Sequence, residues 1–146
     1  MGATSEHFSN SELACHGTTC GPDGTGCRLN ECKPELLDAL EQFRTLVGKP
    51  VIIDDAYRDP VHNAQIGGVP NSEHVQGIAA DIRVEGMSGA ELEAAAMKCS
   101  LITAIGRSDN PPYIHIDTRA VTQGRVLWAY DANGKWTHYF PPGANV

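Results

Sequence analysis

No run of apolar residues in this 146-residue chain approaches the roughly 20 needed to carry a helix across a bilayer, so no membrane span is expected. Lys and Arg form no cluster, and a net charge of -7 would repel a phosphate backbone, which removes nucleic acid from the expected partners. Residues Met1 to Asn10 lack both the basic start and the apolar stretch of a secretory signal. We therefore expect either a trimmed mature domain or delivery by another route. Internal repeats and low-complexity tracts are missing too, which argues against a solenoid or a long linker. What is present is one domain's length of ordinary globular composition, able to bury about two-thirds of its unfolded surface and hold a rigid site unaided. A monomer is expected.

The periodicity assigns an α+β fold: a single compact domain with a mainly antiparallel sheet and flanking helices, made of an irregular Cys-rich segment over 1–33 and a main part over 34–146. Pro34 sits where a first helical residue would, and Leu36, Leu37, Leu40, Phe43, Leu46 and Val47 recur at helical spacing up to Gly48. Val51-Ile52-Ile53 with Ala56-Tyr57 reads as a buried strand ending at Arg58-Asp59-Pro60. The stretch from Val61 to Gly77 reads as loop, and Ile78 to Val84 as a second strand. Ser88, with Glu91 at the capping-box position, opens a helix running to about Cys99. Leu101–Ile105, Tyr113–Arg119, Arg125–Tyr130 and Trp136–Phe140 supply short strands, with Asp131-Ala132-Asn133-Gly134 as the turn joining the last two.

Chemistry concentrates in Ser72-Glu73-His74-Val75-Gln76-Gly77-Ile78-Ala79-Ala80-Asp81, which places a His and an Asp seven residues apart across a glycine. Zinc accepts imidazole nitrogen and carboxylate oxygen, and a catalytic zinc site takes three protein ligands while leaving one position open. The third ligand is expected from Tyr113-Ile114-His115-Ile116-Asp117. On a strand of period two, Tyr113, His115 and Asp117 share one face while Ile114 and Ile116 point to the core.

Three motifs, Ala56-Tyr57-Arg58, Ser72-x-His74-x-x-Gly77-x-Ala79-x-Asp81 and His115-Ile116-Asp117, together resemble the M15 zinc peptidases over about Phe8 to Arg119, and most closely their small branch with a His-x-Asp strand. That group includes D-alanyl-D-alanine carboxypeptidases and phage lysins and shares its fold with the hedgehog signalling domain. The resemblance implies one catalytic Zn2+ held by His74, Asp81 and His115, and Arg58 on the substrate carbonyl and the developing oxyanion. Ser72 and Tyr113 follow as substrate contacts. For Arg58 the alternative is a surface ion pair with Asp55 or Asp59, and for Ser72 a turn-forming role.

A peptide hydrolase of this kind also needs a general base. Better-known M15 members place an acid a few residues before the last ligand, where this chain has Pro111 and Pro112. Asp117 is expected to serve, with Asp109 as the alternative; a role for Asp117 in orienting His115 or pairing with Arg119 is the competing reading. The implied substrate is the stem peptide of peptidoglycan, met outside the cytoplasm by a secreted, periplasmic or phage-delivered protein. A non-catalytic zinc module on the same fold, binding a cell-wall or protein partner, is the rival reading.

Cys15, Cys20, Cys27 and Cys32 lie within eighteen residues and admit two disulfides, a structural zinc site or thiols. Cys99 reads as a small buried hydrophobe. Trp128, Tyr130, Trp136 and Tyr139 are assigned to the core and one cleft wall.

Overall fold

The computed structural model describes residues 2–17, 29–131, 133 and 135–138, the last three through their backbone. Cys20 and Cys27, Ala132 and Gly134 of the expected turn, the side chains of Trp136 and His138, and Tyr139 and Phe140 of the expected last strand lie outside the described residues.

Helix α2 (Pro34–Val47) forms where the apolar period runs. Pro34 occupies a first-turn position that needs no intrahelical N–H, and Gly48 closes the helix in the left-handed conformation at φ 65°. The helix buries Leu36, Leu37, Ala39, Leu40 and Phe43, each large side chain contributing about 1.5–3 kcal/mol of apolar burial. Helix α4 (Gly89–Met97) carries the expected capping box: the Ser88 hydroxyl accepts from Glu91 N, and a Glu91 carboxylate oxygen accepts from Ser88 N.

Among the described residues six strands, β1 (Ile52–Asp55), β2 (Ala79–Arg83), β3 (Ala104–Asp109), β4 (Pro112–Asp117), β5 (Val126–Tyr130) and β6 (Trp136–His138), form one sheet in the order β1-β2-β4-β3-β5-β6. Every neighbouring pair is antiparallel except β3 with β5. The expected α+β class and mainly antiparallel sheet are therefore what the chain forms. Strand β4 lies inside the sheet, with Ile114 and Ile116 fully buried against a core shared by Ile82, Ile105, Leu92 and Phe43.

Two short helices depart from the sequence reading. Helix α1 (Asn10–Leu13) uses the same Ser-x-x-Glu box through Ser9 and Glu12, and buries Leu13 beside Phe8 and Cys15 in the common core. Helix α3 (Pro60–Gln65) begins at Asp59, whose carboxylate accepts from Val61 N. Both are too short to display an apolar period, so only their caps announce them. Strand β3 begins and ends later than expected, at Ala104 and Asp109. Its Gly106-Arg107-Ser108 stretch has no apolar signature, whereas Leu101, counted as strand, is 46% exposed.

Candidate metal centre

A single line of register crosses the sheet. Asp55 on β1 faces Asp81 on β2, Asp81 faces His115 on β4, His115 faces Gly106 on β3, and Gly106 faces Trp128 on β5. Directly opposed residues project from the same side of a sheet, so a carboxylate pair, an imidazole and an indole share one face. Gly106 has no side chain in the middle of that line, and the Trp128 ring fills the space; a Cβ there would lie 2.3 Å from the indole. The ring stands 5.1 Å from the His115 imidazole.

His74 reaches the same point from the turn before β2. Its N–H donates to the Ser72 hydroxyl at 3.2 Å, and the N–H groups of Val75 and Gln76 donate to the Ser72 carbonyl. Ser72 thus builds the turn while also lining the pocket. Gly77 closes that turn at φ 75°, where a Cβ would lie 2.1 Å from the Glu31 carbonyl oxygen. The glycine supplies both a left-handed backbone and room for the chain from Glu31 to Cys32 to pass.

One nitrogen of each imidazole is committed away from the centre. His74 Nδ1 donates to the Ala56 carbonyl at 2.8 Å, since a carbonyl can only accept, which leaves Nε2 with its lone pair 3.3 Å from Asp81 Oδ1. His115 Nε2 donates to Asp117 Oδ2 at 2.7 Å, leaving Nδ1 3.1 Å from the same Asp81 oxygen. Ligand atoms of the three residues lie within 4.8 Å of one another. Two nitrogen lone pairs and a carboxylate aimed at one point repel each other unless a positive charge sits between them. Without an ion that charge must be a proton. Burial opposes a charged His115, but hydrogen bonds and charge from Asp117 and Asp81 outweigh it and raise its pKa to about 9. Burial likewise works against the Asp81 carboxylate, and its hydrogen bonds to His115 and His74 prevail, holding it well below the usual carboxylate range. A divalent cation would answer the same need, and two imidazoles with one carboxylate form a donor set that suits zinc.

The pocket over this centre has a volume of about 310 Å³ and is lined by Arg58, Ser72, Glu73, Arg119, Trp128 and Tyr130 together with the three candidate ligands. Arg58 enters it as a fixed cation: Nε and Nη2 donate to Asp55 Oδ2, and Nη1 donates to Asn63 Oδ1. The ion pair with Asp55 considered from sequence is present, and it coexists with a place in the pocket. Tyr113 lies one step away, in an adjoining hollow that shares Asp81 and includes Asp54, Asp55 and Arg83; burial, and then Asp81, push its phenol up to about 12.

Asp117, expected from sequence as the general base, stands behind His115 instead of over it. It is fully buried, and Oδ2 accepts from His115 Nε2 and Arg119 Nη2 while Oδ1 accepts from Arg119 N and Nε. Asp109 is at the end of β3, bonded to Arg107. Neither lines the pocket. The carboxylates that do, among the described residues, are Asp81 and Glu73.

A family model for peptidase M15 matches residues 6–117, well over half of the chain. The chain belongs to the peptidase M15 family. No curated protein matches it. M15 peptidases are in general metal-dependent, and the His74-Asp81-His115 cluster is where an M15 chain of this sequence could hold its ion. Beside the residues legible in the motifs, Glu73 and Arg119 line the pocket, and Asn63 holds Arg58 in it. Glu73 sits inside the quoted motif at a variable position, and nothing in the spacing of Asn63 or Arg119 marks them. No helix among the described residues is long and apolar enough to cross a membrane. Of the cysteine cluster, Cys15 and Cys32 are buried in the core, and burial pushes the Cys32 thiol up to about 11.

Proposed function

We propose that the protein is a zinc metallopeptidase that hydrolyses peptide bonds in peptidoglycan stem peptides, acting outside the cytoplasm as a monomer. The observation that carries this is the convergence of His74 Nε2, His115 Nδ1 and an Asp81 oxygen, with the remaining nitrogen of each imidazole tied to Ala56 or Asp117. Such outer partners fix the tautomer a metal requires. Zinc bound by His74, Asp81 and His115 would supply Lewis acidity, polarising a carbonyl and lowering the pKa of water.

The chain's own residues do the rest. Arg58, held by Asp55 and Asn63, presents a permanent cation to the oxygen on which negative charge develops, at no reorganisation cost during reaction. We assign Asp117 the task of holding His115, since both its oxygens are committed. Glu73 then takes the proton from the attacking water and returns it to the leaving amine as the C–N bond breaks and the new C–O bond completes the carboxylate. Ser72 and Tyr113 contact the peptide on either side. Arg58 and Glu73 in one pocket favour this reading over a non-catalytic module, which needs neither.

Chelation should abolish hydrolysis of purified wall peptides and zinc should restore it. Mass spectrometry of fragments from a defined peptidoglycan identifies the bond cut. Activity surviving thorough chelation would refute the metal mechanism, and stoichiometric zinc in His74→Ala or His115→Ala would remove that residue from the ligand set.

A further inference from the structure

Arg119 is a second cation in the pocket, and its position is more tightly fixed than a substrate-free surface arginine requires. Asp117 grips it at Nε and Nη2, at 2.9 and 2.7 Å. The guanidinium also lies over the Trp128 ring, with Cζ 5.4 Å from the ring centroid. The guanidinium is thereby held along one edge and over the indole, and its side chain is 27% exposed. Arg119 lines the pocket, and the edge that Asp117 does not grip is the one formed by Nη1 and Nη2, the planar fork that fits a carboxylate through two parallel hydrogen bonds. One carboxylate is already there: Glu73 Oε1 lies 3.4 Å from Nη2, a looser pair than the 2.7 Å contact with Asp117.

We infer that Arg119 is the receptor for the free C-terminal carboxylate of the peptide, and that Glu73 rests on it until that carboxylate arrives. This deepens the peptidase reading and rests on it for the identity of the ligand. The incoming group makes a bidentate pair where Glu73 makes a loose single contact, so it displaces Glu73 from the guanidinium. Glu73, released beside His74, is then free to accept a proton. Because Arg119 and His115 share Asp117, the carboxylate receptor is held at a fixed offset from the candidate metal centre. A peptide without a free end leaves Glu73 in its ion pair. The site is accordingly that of an enzyme removing the terminal residue, and a bond deep within a cross-linked peptide is a poor substrate.

The test uses two stem pentapeptides ending in D-alanyl-D-alanine, one with a free carboxylate and one with a terminal amide, offered to the zinc-loaded protein. For binding alone, the last peptide bond is N-methylated so that it resists cleavage, and affinity is read by calorimetry. The wild type should bind the acid at least about tenfold more tightly than the amide, as expected for loss of a charged hydrogen-bonded pair. Arg119→Gln should bring that ratio close to one. Glu73→Gln, which leaves the Asp117–Arg119 pair intact and keeps the inference testable if the arginine variant fails to fold, should raise it by removing the resident competitor. Equal affinity of the wild type for acid and amide, a preference that persists in Arg119→Gln, or an unchanged ratio in Glu73→Gln overturns the inference. Turnover of the unmethylated pair separates the two readings. Equal hydrolysis of acid and amide keeps the peptidase and loses the receptor; binding of the acid in preference, with neither peptide cleaved, keeps the receptor and loses the peptidase.

Discussion

Asp117→Asn is the substitution whose consequences the structure specifies most fully. Asp117 is fully buried and accepts four hydrogen bonds, from His115 Nε2 and from N, Nε and Nη2 of Arg119. An asparagine has the same shape but one oxygen and one NH2 group. If the NH2 faces His115, the imidazole must accept at Nε2, the proton moves to Nδ1, and the lone pair aimed at the candidate metal position is lost. If it faces Arg119, donor meets donor and a half-buried guanidinium loses its counter-ion. Breaking one side of a buried ion pair costs about 3–5 kcal/mol, and for a domain of this length each kcal/mol moves the melting temperature by about 2–4 °C. A fall of roughly 10 °C is therefore expected. Zinc affinity, measured by competition with a chelating dye, should drop about 10- to 100-fold, the usual effect of removing a group that orients a ligand. Zinc affinity within twofold of the wild type, combined with abolished turnover, would refute this account and return the proton-transfer role to Asp117.

Three further outcomes are expected. In metal-free protein the raised His115 pKa means that its stabilising contribution is complete below about pH 6.5 and is lost as pH climbs through about 9. Calorimetry should show the metal-free melting temperature falling across that window, while apparent zinc affinity rises about tenfold per pH unit as one proton is displaced; a flat profile in both would contradict a protonated His115. Gly106→Ala should push the indole of Trp128 off the sheet, because its Cβ would lie 2.3 Å from that ring, lowering kcat/KM and changing Trp fluorescence with little loss of zinc. Gly77→Ala should destabilise by about 2 kcal/mol or more, since a strained left-handed backbone and a collision with the Glu31 carbonyl combine there; a melting temperature within 2 °C of wild type in denaturation scans would contradict the close approach.

Local periodicity and caps carried much of the fold. Helix α2 and the start of α4 are where Pro34, Gly48 and the Ser88–Glu91 box put them, because those signals act within a turn or two. The order of the strands is set by long-range pairing, and no local pattern encodes that β5 joins β3 in parallel. The same division runs through the site. The convergence of His74, Asp81 and His115 was legible because ligand chemistry restricts residue type and spacing. Arg119 and Asn63 were not, since an arginine beside an aspartate reads the same in sequence whether it faces solvent or a pocket. The expected role of Asp117 turned on a side chain's neighbours: a residue on the correct face of β4 is still excluded from the pocket when its two oxygens are both taken by His115 and Arg119.

The line of register from Asp55 to Trp128 ties the chemistry of the molecule to its oiliest residues. Strand side chains alternate, so sliding β4 by one position would turn His115 inward and bring Ile114 or Ile116 to the surface. Ile114, Ile116 and Ile82 are completely buried, and exposing each would cost about 1.5–3 kcal/mol. Greasy side chains that never meet a substrate therefore act as the ratchet teeth that keep the two reactive strands in step. Any sequence that kept those teeth could exchange the residues between them and turn the same sheet to another chemistry without disturbing how it folds.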